Sequence, residues 1–356
     1  MGKKQFSRRD MLRIAGTLAL GTACLPTTVS AAIHMVDSVR LDDQRYKVSE
    51  TRFLMGTFVS VTAVHESEEA ARLASDKAFG EIDRLCLIFD RHKTDTPISL
   101  LNTTGRLGDV SPELLVVAKK AIDFSRVSGG AFDSTVLPVV SMLKNNAPLH
   151  GRLSLSDKNV IEALDLVDSE AVSLSSREIR FEKQGMGMTL DGIGKGFIVD
   201  RASDVLVANG VTNHLINAGG DIRSRGRLSS EHPWTIAIED PAKKGHYPAV
   251  IELEDAAVAT SGGYEVYYDR QRSSHHVINP RTARSPMQSV SVSVTAPTAV
   301  IADVMSTAAF VMPPKSGIRF INNQKGSEGL IVGHSGNDLG SRNWGRLLKK
   351  GTLSAP

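Results

Sequence analysis

Several long segments carry apolar residues every three to four positions, which is the spacing of an amphipathic helix. If the longest of them is helical, Ala71, Ala78 and Leu85 share one face. Another starts with Ser111 and Pro112, a capping residue and a first-turn proline that both favour a helix start. The pattern therefore predicts helices over residues 68–89, 112–128, 157–164, 196–209 and 299–311.

Between these helices lie shorter segments with the alternation or β-branched content of strands, separated by Gly, Pro, Asn and Asp. The predicted strands cover residues 52–64, 171–181 (a strand pair), 214–217, 234–239, 249–253, 264–268, 276–278 and 289–295. Helices interspersed with runs of antiparallel-looking strands predict an α+β fold rather than a doubly wound parallel sheet. No clear linker divides the chain. We therefore expect mixed and antiparallel sheets with packed helices, in two interwoven subdomains.

The first 32 residues have the order of an export signal: a basic stretch, a short apolar run and small residues. The basic stretch contains Arg8-Arg9 in the string SRRDML, which resembles a twin-arginine signal. We therefore predict export by the twin-arginine route and a periplasmic location; a fortuitous basic N-terminus before a buried helix is the alternative. Lipid attachment at Cys24 is disfavoured because Gly21 stands where that motif needs a large aliphatic residue.

Beyond residues 1–32 we expect a polar lead-in over residues 33–50 and one main domain over residues 51–350. The net charge of the chain is +3, part of it in the first thirteen residues, and aromatic residues make up 5%. A nucleic-acid surface needs a basic patch and usually stacking aromatics, so a nucleic-acid partner is not expected. Cys86 is the only cysteine after the predicted signal, which excludes an intrachain disulfide in the processed chain.

Three motifs are candidates for chemistry, and each has a plainer alternative. Residues 192–196 place three glycines at a helix start, where backbone amides can approach an anion; glycine packing is the alternative. Asp303 and Thr307 lie one turn apart, so their oxygens share a helix face and are suitable Mg²⁺ ligands; a solvated helix face is the alternative. His276, in the pair His275-His276, is a candidate base near neutral pH, with packing as the alternative.

Taken in order, eight short strings resemble the ApbE family of FAD:protein FMN transferases. The strings are MGT (55–57), FDRHKTDTPISLLN (89–102), SGGAFD (128–133), DGIGKG (191–196), NAGGDI (217–222), ATSGGYE (259–265), HVINPRT (276–282) and APTAVIADVMST (296–307). They span about residues 50–335, nearly the whole chain after the predicted signal. With a twin-arginine signal, the chain also resembles the NosX accessory proteins of nitrous-oxide respiration.

The resemblance implies a role for each matching position. The implied FAD contacts are Met55, His92, Ala131, Phe132, Asp133, Asp191, Lys195 and Ile278. The implied magnesium ligands are Asp303, Thr307 and a backbone oxygen near Gly192, and His276 is the implied catalytic base. Two positions depart from the family pattern. Thr189 stands where many members have an Asp, with the acid moved to Asp191, and His92 stands where an aromatic residue, usually Tyr, is common.

The resemblance also implies an activity: magnesium-dependent transfer of FMN from FAD to a Ser or Thr hydroxyl of an acceptor flavoprotein, with release of AMP. The expected acceptor is a membrane-bound protein with an extracytoplasmic domain. One alternative is a magnesium-dependent FAD pyrophosphatase, in which water replaces the protein hydroxyl. Another is a non-enzymatic periplasmic flavin-binding or assembly factor for a respiratory complex, such as one for nitrous-oxide reduction.

Overall fold

A computed structural model describes residues 34–147, 156–243, 247–264 and 266–349. The predicted export signal, with Arg8, Arg9 and Cys24, lies outside these residues. The α-helices in the described ranges are α1 (Glu68–Phe89), α2 (Pro97–Thr104), α3 (Pro112–Val127), α4 (Leu137–Asn145), α5 (Asp157–Asp165), α6 (Gly194–Ala208), α7 (Ala299–Val311) and α8 (Pro314–Asn322). None of them is long and apolar enough to cross a membrane.

The strands lie in runs between these helices. They are β1 (His34–Arg40), β2 (Tyr46–Leu54), β3 (Thr57–His65), β4 (Arg106–Gly108), β5 (Val172–Leu174), β6 (Glu178–Phe181), β7 (Asn213–Ala218), β8 (Asp221–Arg225), β9 (Trp234–Ala237), β10 (Val250–Leu253), β11 (Ala257–Gly262), β12 (Ser289–Ala296), β13 (Glu328–Gly333) and β14 (Leu339–Gly340). The prediction of an α+β fold is confirmed.

The main sheet has nine strands in the order β1-β2-β3-β7-β8-β11-β12-β13-β14, and its neighbours from β2 to β14 pair antiparallel. A three-stranded sheet (β4-β6-β5) and a two-stranded one (β10-β9) accompany it. From Met35 onward the chain clusters as one compact unit.

The two faces of the main sheet bury different cores because successive strand residues point to opposite faces. On β11, Ala257 and Ala259 belong to the large core that also contains the apolar faces of α1, α6 and α7. The residue between them, Val258, belongs to a smaller core with β9, β10 and Trp344. Helix α7 is the most deeply placed helix, since eleven of its residues are buried. Of the polar side chains on α7, Asp303 and Ser306 are buried and Thr307 is half-buried.

The helix predictions hold closely where sequence signals are strong. The apolar face predicted for residues 68–89 is buried in α1, and Ser67 caps this helix by accepting a hydrogen bond from the Ala70 amide. Ser111 likewise accepts a hydrogen bond from the Leu114 amide at the start of α3. Pro313 follows α7 as expected, but Pro314 occupies the first turn of α8 and so begins a helix as well as ending one.

Three strand predictions differ from the structure. Residues 52–64 are two antiparallel strands, because Met55 and Gly56 both have positive φ and form the turn between β2 and β3. The lead-in over residues 33–50 contains β1, which is almost wholly exposed, and the start of β2, in which Lys47 and Ser49 are half-buried while Val48 and Glu50 are buried. Tyr264 and residues 266–268 and 276–278 are not in strands; these described residues belong to loops with the isolated bridges Tyr267↔His275 and Asn279↔Arg284.

The buried His214 makes stability depend on pH. Its Nε2 lies 2.8 Å from the Ser203 Oγ and its Nδ1 lies 3.0 Å from the Val211 carbonyl oxygen. Burial lowers the pKa of His214 to about 4, so on acidification the unfolded chain takes up a proton first. Stabilisation is therefore complete above pH ~6.5 and is lost as the pH falls towards 4.

We expect this effect to lower the free energy of unfolding by about 2–3 kcal/mol between pH 7 and pH 4.5. Urea denaturation at a series of pH values measures it, with His214→Gln as the comparison that removes the titrating ring. If the two proteins lose stability in parallel over this range, His214 is not responsible.

Candidate active site

The glycine-rich start of α6 meets the middle of α7. The Gly196 amide donates a hydrogen bond of 3.0 Å to Asp303 Oδ2. A Cβ on Gly196 would collide with the Ala299 backbone, so the absence of a side chain lets the two helices approach this closely. A Cβ on Gly192 would lie 3.0 Å from the Thr307 Oγ1 and 3.2 Å from the Phe132 ring. Three segments distant in sequence thus converge.

A buried ion pair lies beside this junction. Lys195 Nζ is 3.0 Å from the Asp221 Oδ2, with Asp221 almost fully buried and Lys195 partly exposed. Burial raises the pKa of Asp303 well above its usual value, and the nearby Asp221 raises it further, while Lys195 and the Gly196 amide oppose the shift. Two carboxylates and one ammonium therefore share a small volume, which attracts further positive charge.

The oxygens around Asp303 include several hydroxyls. Ser261 Oγ lies 3.1 Å from Thr307 Oγ1 and 2.8 Å from Ser306 Oγ, which in turn donates to the Asp303 carbonyl oxygen. Carboxylate, hydroxyl and backbone oxygens are the ligands that Mg²⁺ accepts. Within the described residues no group of three His, Cys, Asp or Glu side chains is arranged around a common point. The donor set therefore fits an ion that keeps water or phosphate oxygens as ligands, as Mg²⁺ does.

The MGT string lies at the same end of the sheet. Thr57 follows the Met55-Gly56 turn, and its side chain occupies the space where a Cβ on Gly219 would be. Gly219-Gly220 form the turn between β7 and β8, fixed by a 3.0 Å hydrogen bond from the Gly220 amide to Asn217 Oδ1, and Asp221 follows at once. Met55 is partly buried against the large core, and the turn that it forms is followed by Thr57, which contacts the Gly219-Gly220 turn before Asp221.

Asp191 is paired with Arg91. The Arg91 Nη2 lies 2.6 Å from Asp191 Oδ2, and its Nε donates to the Thr189 hydroxyl at 3.1 Å. Burial favours a raised pKa for Asp191, but the Arg91 guanidinium outweighs it and holds that pKa below its usual value. The departure of Thr189 and Asp191 from the family pattern is thus accommodated by Arg91. His92, the next residue, is exposed beside this ion pair.

Ala131, Phe132 and Asp133 approach the glycine loop from α3. Phe132 is buried with its ring against Gly192, and Ala131 packs on the same core. The Asp133 carboxylate accepts hydrogen bonds from the Thr135 amide (2.8 Å) and hydroxyl (2.6 Å) and from the Ser125 hydroxyl (3.1 Å). Within the protein, Asp133 therefore stabilises the turn that follows residues 131–133.

The two histidines of the loop after β11 have different environments. His275 is buried: its Nε2 lies 2.9 Å from the Pro286 carbonyl oxygen and its ring stands edge-on to Phe310, three residues after Thr307 on α7. His276 is half-buried, and its amide donates to the Val266 carbonyl oxygen. The pair is thus fixed to α7 through His275, with His276 as the more accessible ring. Ile278 is buried in a small core with α4 and α5.

The structure therefore brings Gly192, Lys195, Asp303, Thr307 and Phe132 together. Met55, Asp191 and His92 lie on neighbouring turns. The loop that carries His276 packs on α7 through the contact of His275 with Phe310. Three further residues contribute to the site although the sequence did not single them out as candidates: Asp221, Ser261 and Arg91. An acid directly after a Gly-Gly turn at a strand start signals Asp221. Arg91 is signalled only indirectly, by an acid displaced from its usual place.

Comparison with known proteins agrees with this geometry. The model of the ApbE family matches residues 55–331. A FAD:protein FMN transferase of Vibrio cholerae is 30% identical over 67% of this chain and 74% of its own, and one of Treponema pallidum is 26% identical over 80% and 84%. The crystal structure of an ApbE protein from Thermotoga maritima superposes with a TM-score of 0.76 at 27% identity, covering 85% of this chain and all of that one.

Proposed function

The chain belongs to the ApbE family, and from this premise we propose that it is an enzyme that moves FMN from FAD to a Ser or Thr hydroxyl of an acceptor flavoprotein. The observation that carries the proposal is the junction of the glycine loop with α7. There Lys195 and the buried oxygens of Asp221 and Asp303 lie close together, and the Gly196 amide fixes the Asp303 carboxylate. A pyrophosphate is the part of FAD that needs such an environment.

In the proposed reaction the acceptor hydroxyl oxygen attacks the phosphorus on the FMN side of FAD. The bond from that phosphorus to the bridging oxygen breaks, AMP leaves with the bridging oxygen, and the hydroxyl proton passes to a base. The Lys195 ammonium is placed to stabilise the negative charge that moves towards the leaving group. Asp221 holds the Lys195 ammonium in position through its buried ion pair.

Magnesium fits the oxygen ligands of this site. Asp303, Thr307 and a backbone oxygen near Gly192 would hold the ion, and bound Mg²⁺ neutralises phosphate charge. The Asp303 carboxylate supports this assignment. It is buried beside a second acid, Asp221, and both conditions disfavour its charged form unless a cation lies next to it. His276 is the group we assign as the base, since it is the accessible imidazole of the loop that packs on α7.

A direct assay separates FMN transfer from FAD hydrolysis. The purified protein is incubated with FAD and Mg²⁺, with and without an acceptor flavoprotein domain, and both AMP and protein-bound flavin fluorescence are followed. A transferase yields AMP in proportion to labelled acceptor and little AMP without it. Equal AMP in both reactions identifies a pyrophosphatase, and no AMP in either identifies a binding or assembly factor.

We further propose that the protein acts in the periplasm on a membrane-bound acceptor with an extracytoplasmic domain, in the manner of a NosX-like accessory protein. The support is the order of basic, apolar and small residues in the first 32 positions.

Replacing Arg8 and Arg9 with lysines should leave the protein in the cytoplasm, because the twin-arginine route tolerates loss of this pair poorly. Cell fractionation and immunoblotting measure the periplasmic share, with Lys3→Arg/Lys4→Arg as a charge-matched control that exports normally. Undiminished periplasmic recovery of the Arg8→Lys/Arg9→Lys protein would contradict the assigned route.

A further inference from the structure

We propose that a second cavity, away from the candidate active site, binds a small oxyanion of the phosphate class. The cavity lies between α6, β8 and the segment that opens α7, has a volume of about 330 Å³, and is here called the α6–β8 cavity. Its volume is within the range of small-ligand sites. The charged residues that line it are Lys120, Asp200, Arg201, Asp204, Arg223 and Arg225. The inference does not depend on the proposed function.

Both carboxylates of the cavity are already engaged. Asp200 accepts the amides of Ala299 and Val300, each at 2.9 Å, and so caps α7. The amides at this helix start are therefore not offered to a ligand. Asp204 pairs with Arg201 at 3.2 Å. Of the four cations that line the cavity, Arg201 and Arg223 lie near these acids, whereas no carboxylate of the described residues lies within ion-pair distance of Lys120 or Arg225.

The cations on β8 are less well compensated. Arg223 is 3% exposed, lies 3.6 Å from Asp200 and donates to the Pro297 carbonyl oxygen. The Nε of Arg225 is buried and has no hydrogen-bond partner among the described residues. Asp255 is the acid on the strand side, but it accepts the Gly226 amide and does not line the cavity. A buried donor without an acceptor is costly, so an anion that reaches Arg225 is stabilised.

Two further donors converge on the same space. Lys120 of α3 is half-buried, and none of the carboxylates in the described ranges lies within ion-pair distance of it. The Thr298 hydroxyl oxygen is buried and, among the described residues, also lacks a partner. Guanidinium, ammonium and hydroxyl donors from three different segments suit an anion with several oxygens around one centre, and guanidinium groups bind phosphate especially well. This donor set points to phosphate.

The cavity is distinct from the Lys195–Asp221 site. Asp221 and Arg225 are four residues apart on the same face of β8, about 13 Å along the strand. On α6, Lys195 is in the first turn, whereas Asp200, Arg201 and Asp204 are in later turns. Substitutions in one site can therefore distinguish phosphate bound in the cavity from phosphate bound at the active site.

The test is thermal unfolding of the whole protein at pH 7.5 in sodium phosphate and in sodium chloride of equal ionic strength. Phosphate should raise the Tm saturably, by about 2 °C or more, because a ligand that binds only the folded state stabilises it. Arg225→Gln and Lys120→Gln should each lose at least half of this shift. Lys119→Gln is the matched control: Lys119 neighbours Lys120 on α3 but pairs with Asp123 on the surface, and its variant should keep the full shift.

A Lys195→Gln variant should also keep the shift, since it removes the ammonium of the other site. Glycerol 3-phosphate in place of inorganic phosphate identifies the source of the anion: an equal shift indicates a phosphomonoester site, and a shift with inorganic phosphate alone indicates a site for the free ion. Lys120→Gln keeps the test decisive if Arg225→Gln does not fold. The proposal is overturned if chloride stabilises equally, if neither cavity variant reduces the shift, or if Lys195→Gln alone abolishes it.

Discussion

Replacing Asp303 with alanine is expected to reduce the rate of FMN transfer by about 10³-fold or more, because a metal ion held by this residue would lower the barrier to phosphoryl transfer by several kcal/mol. Asp303 is buried on α7, and its carboxylate faces the Gly196 amide and the Lys195–Asp221 ion pair. No other carboxylate in the described part of α7 can take its place. FAD binding should weaken as well, because Asp303 would hold the proposed Mg²⁺, which would neutralise charge on the pyrophosphate.

Asp303→Asn is the matched variant, because its side-chain oxygen can still accept the Gly196 hydrogen bond while the negative charge is gone. It should remain folded, as judged by its Tm, and yet be nearly as inactive as the alanine variant. EDTA should inactivate the unmodified protein, and added Mg²⁺ should restore it. An active Asp303→Asn protein, or activity that survives EDTA, would show that the metal assignment is wrong.

The elements predicted well from sequence are those whose local signals and tertiary environment agree. Helix α1 has an uninterrupted apolar face, and α3 has both a capping serine and a first-turn proline, so their bounds follow within a residue or two. The start of β2 was missed because Lys47, Ser49 and Glu50 make this segment polar, although Glu50 is buried and pairs with Arg52. The pairing with β3 explains the polar positions, because the hydroxyls of Ser49 and Thr51 form hydrogen bonds with those of Thr62 and Ser60.

The site shows the same division between what is local and what is not. The spacing of Asp303 and Thr307 already places their oxygens on one helix face, and the glycines at 192–196 already suggest a close approach. The partners of these groups cannot be read from spacing. Arg91 reaches Asp191 across a hundred positions, and Lys195 pairs with an aspartate on a different strand. Such pairs depend on the order of strands in the sheet, which local patterns do not specify.

Replacing His276 with alanine is expected to slow acceptor labelling by about 10²–10⁴-fold while FAD still binds, because proton removal by a positioned base contributes that much. His276 is the half-buried member of the pair, and the loop that carries it is held against α7 through His275 and Phe310. The affinity for FAD is assigned to the metal site, Lys195 and the turns around them. Titration with FAD and a time course of in-gel flavin fluorescence measure the two effects separately.

His275 gives the comparison that separates catalysis from packing. The sequence predicts a strand over residues 276–278, but the structure has a loop here, in which the His275 ring is buried and contacts Phe310 and the Pro286 carbonyl. His275→Ala should therefore lower the Tm, since a buried ring is lost. His276→Ala should leave the Tm nearly unchanged. If His276→Ala keeps its labelling rate, the hydroxyl is activated without this imidazole; if it loses FAD binding instead, His276 is a contact residue and not the base.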